Sequence, residues 1–420
     1  MSRRWWLRVV VLVAAVGLLP TVLLAQTLAR PGWVGSGMTP NVWWRHAFVY
    51  AVDVHAGDGL KGVATRMDAM QALGVDAVLL RGLQGGTEAA IDPAAGTMDD
   101  FDEVLVQASR HSLRVLVELS PKTASEDVSG VARFWLSRGV SGFRLVPAGD
   151  SAAQMRQLRA VAKSYVGERV MIGDAALGSV AVRVVAAPAA DVAMDSAPVA
   201  KGRRHRGHAV GGTSDAPRSL VRVGDGPQLL LDASMAVAPL NVAAIRAALE
   251  RNDALNRVGA GVPMLATAEG AGGGPEVGKV VATLLLSTRG GAMIRAGQEG
   301  SGDGADAQAL SSWYKQMSVM QHSNATVRTG VNAMLNHDDQ SVVAWVRRPQ
   351  VVSYNSPAVV FVCNMTDKPV TVSLTADMAG LRLKGSFLRT LLRTDEGMGA
   401  MSLGAVKVAP YGVYVGELKY

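Results

Sequence analysis

Carboxylates close several apolar runs of this sequence: Asp53 ends the run FVYAVD, Glu118 sits in RVLVELS, Asp174 in VMIGDA and Glu269 in LATAEG. Two carboxyl groups facing one another about 6.5–9.5 Å apart can act as acid and base on a bound water. Asp174 and Glu269 would do that chemistry if they converge. The plainer alternative is that each is solvated at a strand end or bonded to a loop. Arg144 in GFRLV can hold a carboxylate, with Asp174 or a backbone carbonyl as the expected partner. Arg144, Glu118 and Asp53 are the candidate pocket-lining residues, and Asp53 and His55 can equally cap a loop. His46, His111 and His337 show no metal-ligand spacing, so no metal and no cofactor is expected.

Such groups meet only if strand ends meet. From residue 47 short β-branched runs alternate with longer helical patterns, the pattern of βα units around a parallel sheet. Strands are expected at 48–54, 77–80, 114–119, 142–146, 170–174, 228–233, 262–267 and 292–297. Eight strands with helices between them favour a closed (β/α)8 TIM barrel over an open sheet. MDAMQAL carries apolar residues three and four apart and is followed by Gly74, a suitable C-terminal cap; 101–109, 131–136 and 155–161 also read as helices. The rhythm breaks near 178–227, a stretch rich in Ala, Gly and Pro and too long for an ordinary βα connection. After about residue 328 alternating runs such as SVVAWVRR and AVVFVCN replace the helical period. The expected division is a barrel over 41–327 with an irregular insertion near 178–227, then a C-terminal antiparallel β-sandwich domain over 328–420.

Residues 1–25 run from Arg3, Arg4 and Arg8 into an apolar stretch that Pro20 interrupts, the pattern of a signal peptide, with 26–40 as a linker. The alternative is an uncleaved membrane anchor. Export to the periplasm or beyond is the expectation either way. The formal charge of +7 is concentrated in two places, those three arginines and the cluster Lys201, Arg203, Arg204 and Arg206, so the remainder is balanced. No general basic face remains for nucleic acid. The 201–208 run reads as a solvated loop, with an anionic surface as its other possible partner. Cys363, the single cysteine, has no internal disulfide partner and reads as a small buried hydrophobe.

WWRHAFVYAVDV, GLKGVATRMDAMQALGVDAVLL and IDPAAGTMDDFDEVLVQASRHSLRVLVELSP resemble, in order and spacing, the first three βα units of the α-amylase superfamily, glycoside hydrolase family 13. RFWLSRGVSGFRL resembles its fourth strand, VMIGDA its fifth, STRGGAMIRAGQEGS its eighth, and AVVFVCNMTDKPVTV its C-terminal domain. The resemblance implies retaining glycoside cleavage by a nucleophile and an acid/base about 5–5.5 Å apart. It puts the nucleophile after GFR-x, where this chain has Val146, and the acid/base at Asp174, where a glutamate is usual. Glu269 aligns loosely with the third carboxylate, and Glu299 falls at a position concerned with the eighth loop, to which no chemistry is assigned. The inserted domain B and the sugar-stacking element after the second strand are missing. The pattern is similar to the ectodomain of the heavy chains of heteromeric amino-acid transporters. The resemblance therefore implies an amylase-like protein that has lost catalysis and binds a glycan or an envelope protein. An active α-glycoside hydrolase with a rebuilt carboxylate pair is the alternative.

Overall fold

The computed structural model describes residues 43–84, 89–123, 125–146, 152–174, 226–235, 240–258, 261–268, 274–300, 302–349 and 356–419. The expected leader, the linker, most of the 178–227 insertion, the basic run 201–208 and Glu269 lie outside them. Eight strands, β1 Phe48–Asp53, β2 Ala77–Arg81, β3 Arg114–Leu119, β4 Gly142–Leu145, β5 Val170–Asp174, β6 Leu229–Met235, β7 Val262–Thr267 and β8 Gly291–Arg295, form a closed parallel barrel in chain order. The ring closes where β1 pairs with β8, Phe48 opposite Ala292. Covered on both faces, these strands are near-continuous apolar runs, as in β1, where the first five residues are buried and only Asp53 is exposed.

Local chemistry sets the helix ends. Thr97 and Asp100 form a reciprocal capping box at the start of the helix Met98–Arg110. Gly74 ends Met67–Leu73 with φ of 86°, as its position in the sequence suggests. Gly290, just before β8, has φ of 114°, and a Cβ there would sit 2.1 Å from the Pro263 carbonyl oxygen. Only glycine lets the chain enter β8 at that point.

The C-terminal region pairs β9 Val331–Leu335, β10 Val342–Arg348, β11 Val359–Asn364, β13 Phe387–Arg393, β14 Met401–Ser402 and β16 Val413–Lys419 in one antiparallel sheet of order β14-β13-β16-β11-β10-β9. A two-stranded ribbon, β12 Val370–Val372 and β15 Val406–Val408, adds a second layer. A short helix, Thr375–Gly380, interrupts what the sequence presents as continuous β-structure. The alternation of β10 explains the layering. Val343 and Trp345 join the core that also holds barrel residues, while Val342, Ala344 and Val346 join a second core with Val372, Leu374 and Val406. Each fully covered side chain of this size contributes about 1.5–3 kcal/mol. Cys363 is buried in the shared core.

Several aromatic residues tie the helices to the barrel. Trp313 and Tyr314 sit inside the helix Ala305–Ser323 and pack on the barrel: the Trp313 indole donates to the Lys279 carbonyl at 3.0 Å, and Tyr314 stacks on Phe48 at 6.5 Å. Trp135 is fully buried, whereas Trp43 and Trp44 are half-exposed, and Trp44 Nε1 donates to Glu168 at 3.1 Å.

Candidate functional site

Six of the eight strands carry a charged residue at or next to their C-terminal end: Asp53, Arg81, Glu118, Arg144, Asp174 and Arg295. Parallel register sets them side by side, with Asp53 opposite Arg81 and Glu118 opposite Arg144. Because strand C-termini converge on one face of such a barrel, the six form a rim around its mouth.

The centre of the rim is an alternating chain of charge. Glu118, with a side chain only 10% exposed, accepts from Arg144 Nη1 at 2.7 Å and lies 3.4 Å from Arg81 Nε. The other terminal nitrogen of Arg144 reaches Asp174 Oδ1 at 3.5 Å. Arg144 thus spans two carboxylates, and its planar fork suits that task. The expected Arg144–Asp174 contact is present, and Glu118 is the closer partner. On the far side, Arg295 Nη1 donates to the Thr267 carbonyl at 3.1 Å.

Asp53 is drawn the other way. Its Oδ1 accepts from the His55 backbone N–H at 2.9 Å, and His55 then bridges Asp53, at 3.5 Å, and Asp92, at 3.3 Å. The Ala94 N–H and then His55 hold the Asp92 carboxyl below the usual carboxylate range. Asp53 also borders an open cavity of about 560 Å³ with Asp58, Arg66, Arg81 and Arg295. Val146, at the expected nucleophile position, follows β4 with its N–H on the Leu119 carbonyl at 2.9 Å. The connection from β3 to the helix Ser129–Arg138 is residues 120–128, too short for an inserted domain. Glu269 lies outside the described residues, so its approach to Asp174 has no geometry here. Among the described residues no group of three or more His, Cys, Asp or Glu side chains could hold a metal.

Arg81, Arg295 and Asp92 escaped the sequence reading. The signal for the arginines was the same as for the carboxylates, a charge ending an apolar run in AVLLR and AMIR. Glu299 also does more than its sequence position suggested. It hydrogen-bonds Tyr50 through Oε1 and accepts the Gly297 N–H at 3.0 Å through Oε2, beside a second cavity of about 260 Å³. Burial is the main cause that raises its pKa.

No family model matches the chain. In sequence it is similar to the amino acid transporter heavy chain SLC3A2 of Oryctolagus cuniculus, 26% identical over 162 residues, 31% of this chain and 30% of that protein. It is also similar to trehalose-6-phosphate hydrolase of Escherichia coli K12, 32% identical over 95 residues, 18% and 17% of the two chains. These matches span less than a third of the curated relatives' length. In structure it is similar to trehalose-6-phosphate hydrolase of Bacillus licheniformis, with TM-score 0.65 and 13% identity over 90% of this chain and 100% of the other. Trehalulose synthase of Pseudomonas mesoacidophila aligns with TM-score 0.64 and 13% identity over 90% and 99%. The structural likeness shows the fold, a TIM barrel followed by an antiparallel sheet. With the distant sequence relatives, it bears out the resemblance to the α-amylase superfamily.

Proposed function

We propose that this is an exported α-amylase-fold protein that has lost glycoside cleavage and binds a glycan or a protein partner at the cell envelope. The observation that carries this reading is Arg144 bridging Glu118 and Asp174 while Val146 stands at the nucleophile position. A valine can neither attack an anomeric carbon nor stabilise an oxocarbenium ion. The missing domain B removes a wall of the cleft. Among the named relatives, an amino acid transporter heavy chain gives the partner-binding version a precedent of the same fold.

The competing reading is an α-glycoside hydrolase using Asp174 and Glu269 as an inverting pair, favoured by the partial exposure of the Asp174 side chain at the barrel mouth. The test is release of reducing sugar or nitrophenol from a panel of α-glucosides and α-glucans by the purified protein, beside Asp174→Ala and Glu269→Ala. We expect no turnover above the blank. Turnover that either substitution abolishes overturns the proposal and gives those carboxylates the chemistry.

A further inference from the structure

At the opposite end of the barrel, the floor, the charges are arranged differently. Arg45 and His46 lead into β1, and Arg289 leads into β8. The closing pair Phe48–Ala292, with the Ala292 N–H on the Ala47 carbonyl at 2.9 Å, lays these two lead-in segments side by side. Arg328 comes from the short helix Ala325–Thr329, and its Nη1 donates to the His322 carbonyl at 2.9 Å. Arg347 comes from β10, two residues beyond Trp345 and therefore on the barrel-facing side. Its Nε and Nη2 donate to the Val327 carbonyl at 3.2 and 2.7 Å, next to Arg328.

Arg347 has 0% exposure, and its Nη1 has no hydrogen-bond partner among the described residues. None of Arg45, Arg289, Arg328 and Arg347 has a carboxylate within ion-pair distance there. Burial and then the Arg289 charge weigh against the cationic form of Arg347, and Asp253 offsets that charge only in part. Burial, then Arg328, Arg347, Arg45 and Arg289, hold the His46 imidazole down at about 4. Asp76, which also borders the cluster, is engaged by His322 and by the Phe48 N–H. Converging cations with so little opposing charge repel one another, and more strongly out of water than in it.

We infer that this cluster is a binding site for a small oxyanion of the phosphate or sulfate type, held by Arg289, Arg328 and Arg347 where the barrel floor meets the C-terminal sheet. Guanidinium forks match the oxygens of such an anion, which a spherical halide lacks. The complete burial of Arg347 restricts the ligand to a group of a few atoms. Bound there, the anion would join β8 to β10 through charge and supply a partner for the buried Nη1.

The test is calorimetric titration of the full chain with inorganic phosphate at constant ionic strength, with chloride as the comparison, together with thermal unfolding. One saturable phosphate site per chain and a melting temperature that rises with phosphate but not chloride are expected. Arg289→Gln and Arg328→Gln, at half-exposed positions, should weaken phosphate binding roughly ten- to a hundredfold, the worth of one charge-assisted hydrogen bond. In phosphate-free buffer Arg289→Gln should melt higher than the parent, because it relieves repulsion, a gain that a merely structural arginine would not give. Phosphate should also move the titration of the His46 ring resonances upward. Arg138→Gln, which breaks the surface pair with Asp102, should leave every phosphate response intact. Absence of saturable phosphate binding, a response that survives Arg289→Gln, or an anion-free melting temperature lowered by Arg289→Gln would each overturn the site.

Discussion

The two ends of the barrel use the same residue type to opposite effect. At the mouth, Arg81 and Arg144 lie against Glu118, and Arg144 reaches on to Asp174, so cation and anion alternate. At the floor, Arg289, Arg328 and Arg347 come from segments that meet around His46, and the charge of each weighs against its protonation. The charges of the mouth therefore largely satisfy one another, while the floor presents a field that an outside anion would satisfy. An arginine's presence says little about its work; the sign of the charge on the neighbouring strand decides it.

The strongest way to break this contrast is to make the mouth resemble the floor. Glu118→Ala removes the carboxylate between Arg81 and Arg144 and leaves two cations on the strands that flank β3. With Glu118 so well covered, the substitution should cost about 3 kcal/mol in urea unfolding, much of it because Arg144 loses its closest carboxylate. A loss below about 1 kcal/mol would mean that these are ordinary exposed pairs, and the contrast between the two ends would lose its energetic meaning.

How much of this was legible in the sequence follows from range. Each barrel strand is an apolar run with a turn signal nearby, and β3, β5 and β7 coincide with the expected spans, because a strand's pattern is local. The mouth was half legible: the end of the first strand gave Asp53, and the resemblance to the α-amylase motifs pointed to Glu118, Arg144 and Asp174. That Glu118, and not only Asp174, holds Arg144 depends on the β3–β4 register, which no single run contains. The floor was invisible. Arg45, Arg289, Arg328 and Arg347 lie in four separate segments and each looks like an ordinary loop or strand-end arginine. Only closure of β1 on β8 and the packing of β10 on the barrel bring them together. The same limit applies to Trp313 and Tyr314, since helical spacing gives a face but not the body it packs on.

A smaller effect sharpens the picture from the floor side. The unfolded His46 imidazole takes up its proton near pH 6.5, whereas burial and the surrounding arginines delay that step in the folded chain to about pH 4. Between these values the unfolded state binds more protons, so stability falls as the pH drops through the window. The loss should be on the order of 1–2 kcal/mol, and His46→Gln should flatten it when unfolding is followed from pH 7 to 4.

The smallest expected effect runs in the other direction, a few residues away. His322 ends the helix Ala305–Ser323, with Nδ1 2.8 Å from the Ser318 carbonyl and Nε2 3.2 Å from both oxygens of Asp76. The hydrogen bond to Asp76 leads the causes that raise its pKa, while burial and Arg328 oppose them. A folded pKa above the unfolded one means that the clasp contributes fully below about pH 6.5 and fades as the pH rises through the raised value. His322→Gln should therefore lower the melting temperature at pH 6 and have progressively less effect toward pH 9. Solvent screening keeps the amount small, because the imidazole is 42% exposed. If His322→Gln instead lost most at alkaline pH, the imidazole would be acting neutral, and Asp76 would be free to oppose Arg328. The floor would then be less cationic than its arginines suggest. Two histidines at one end of the barrel titrating in opposite senses would separate a ring set among arginines, His46, from one held by a carboxylate, His322.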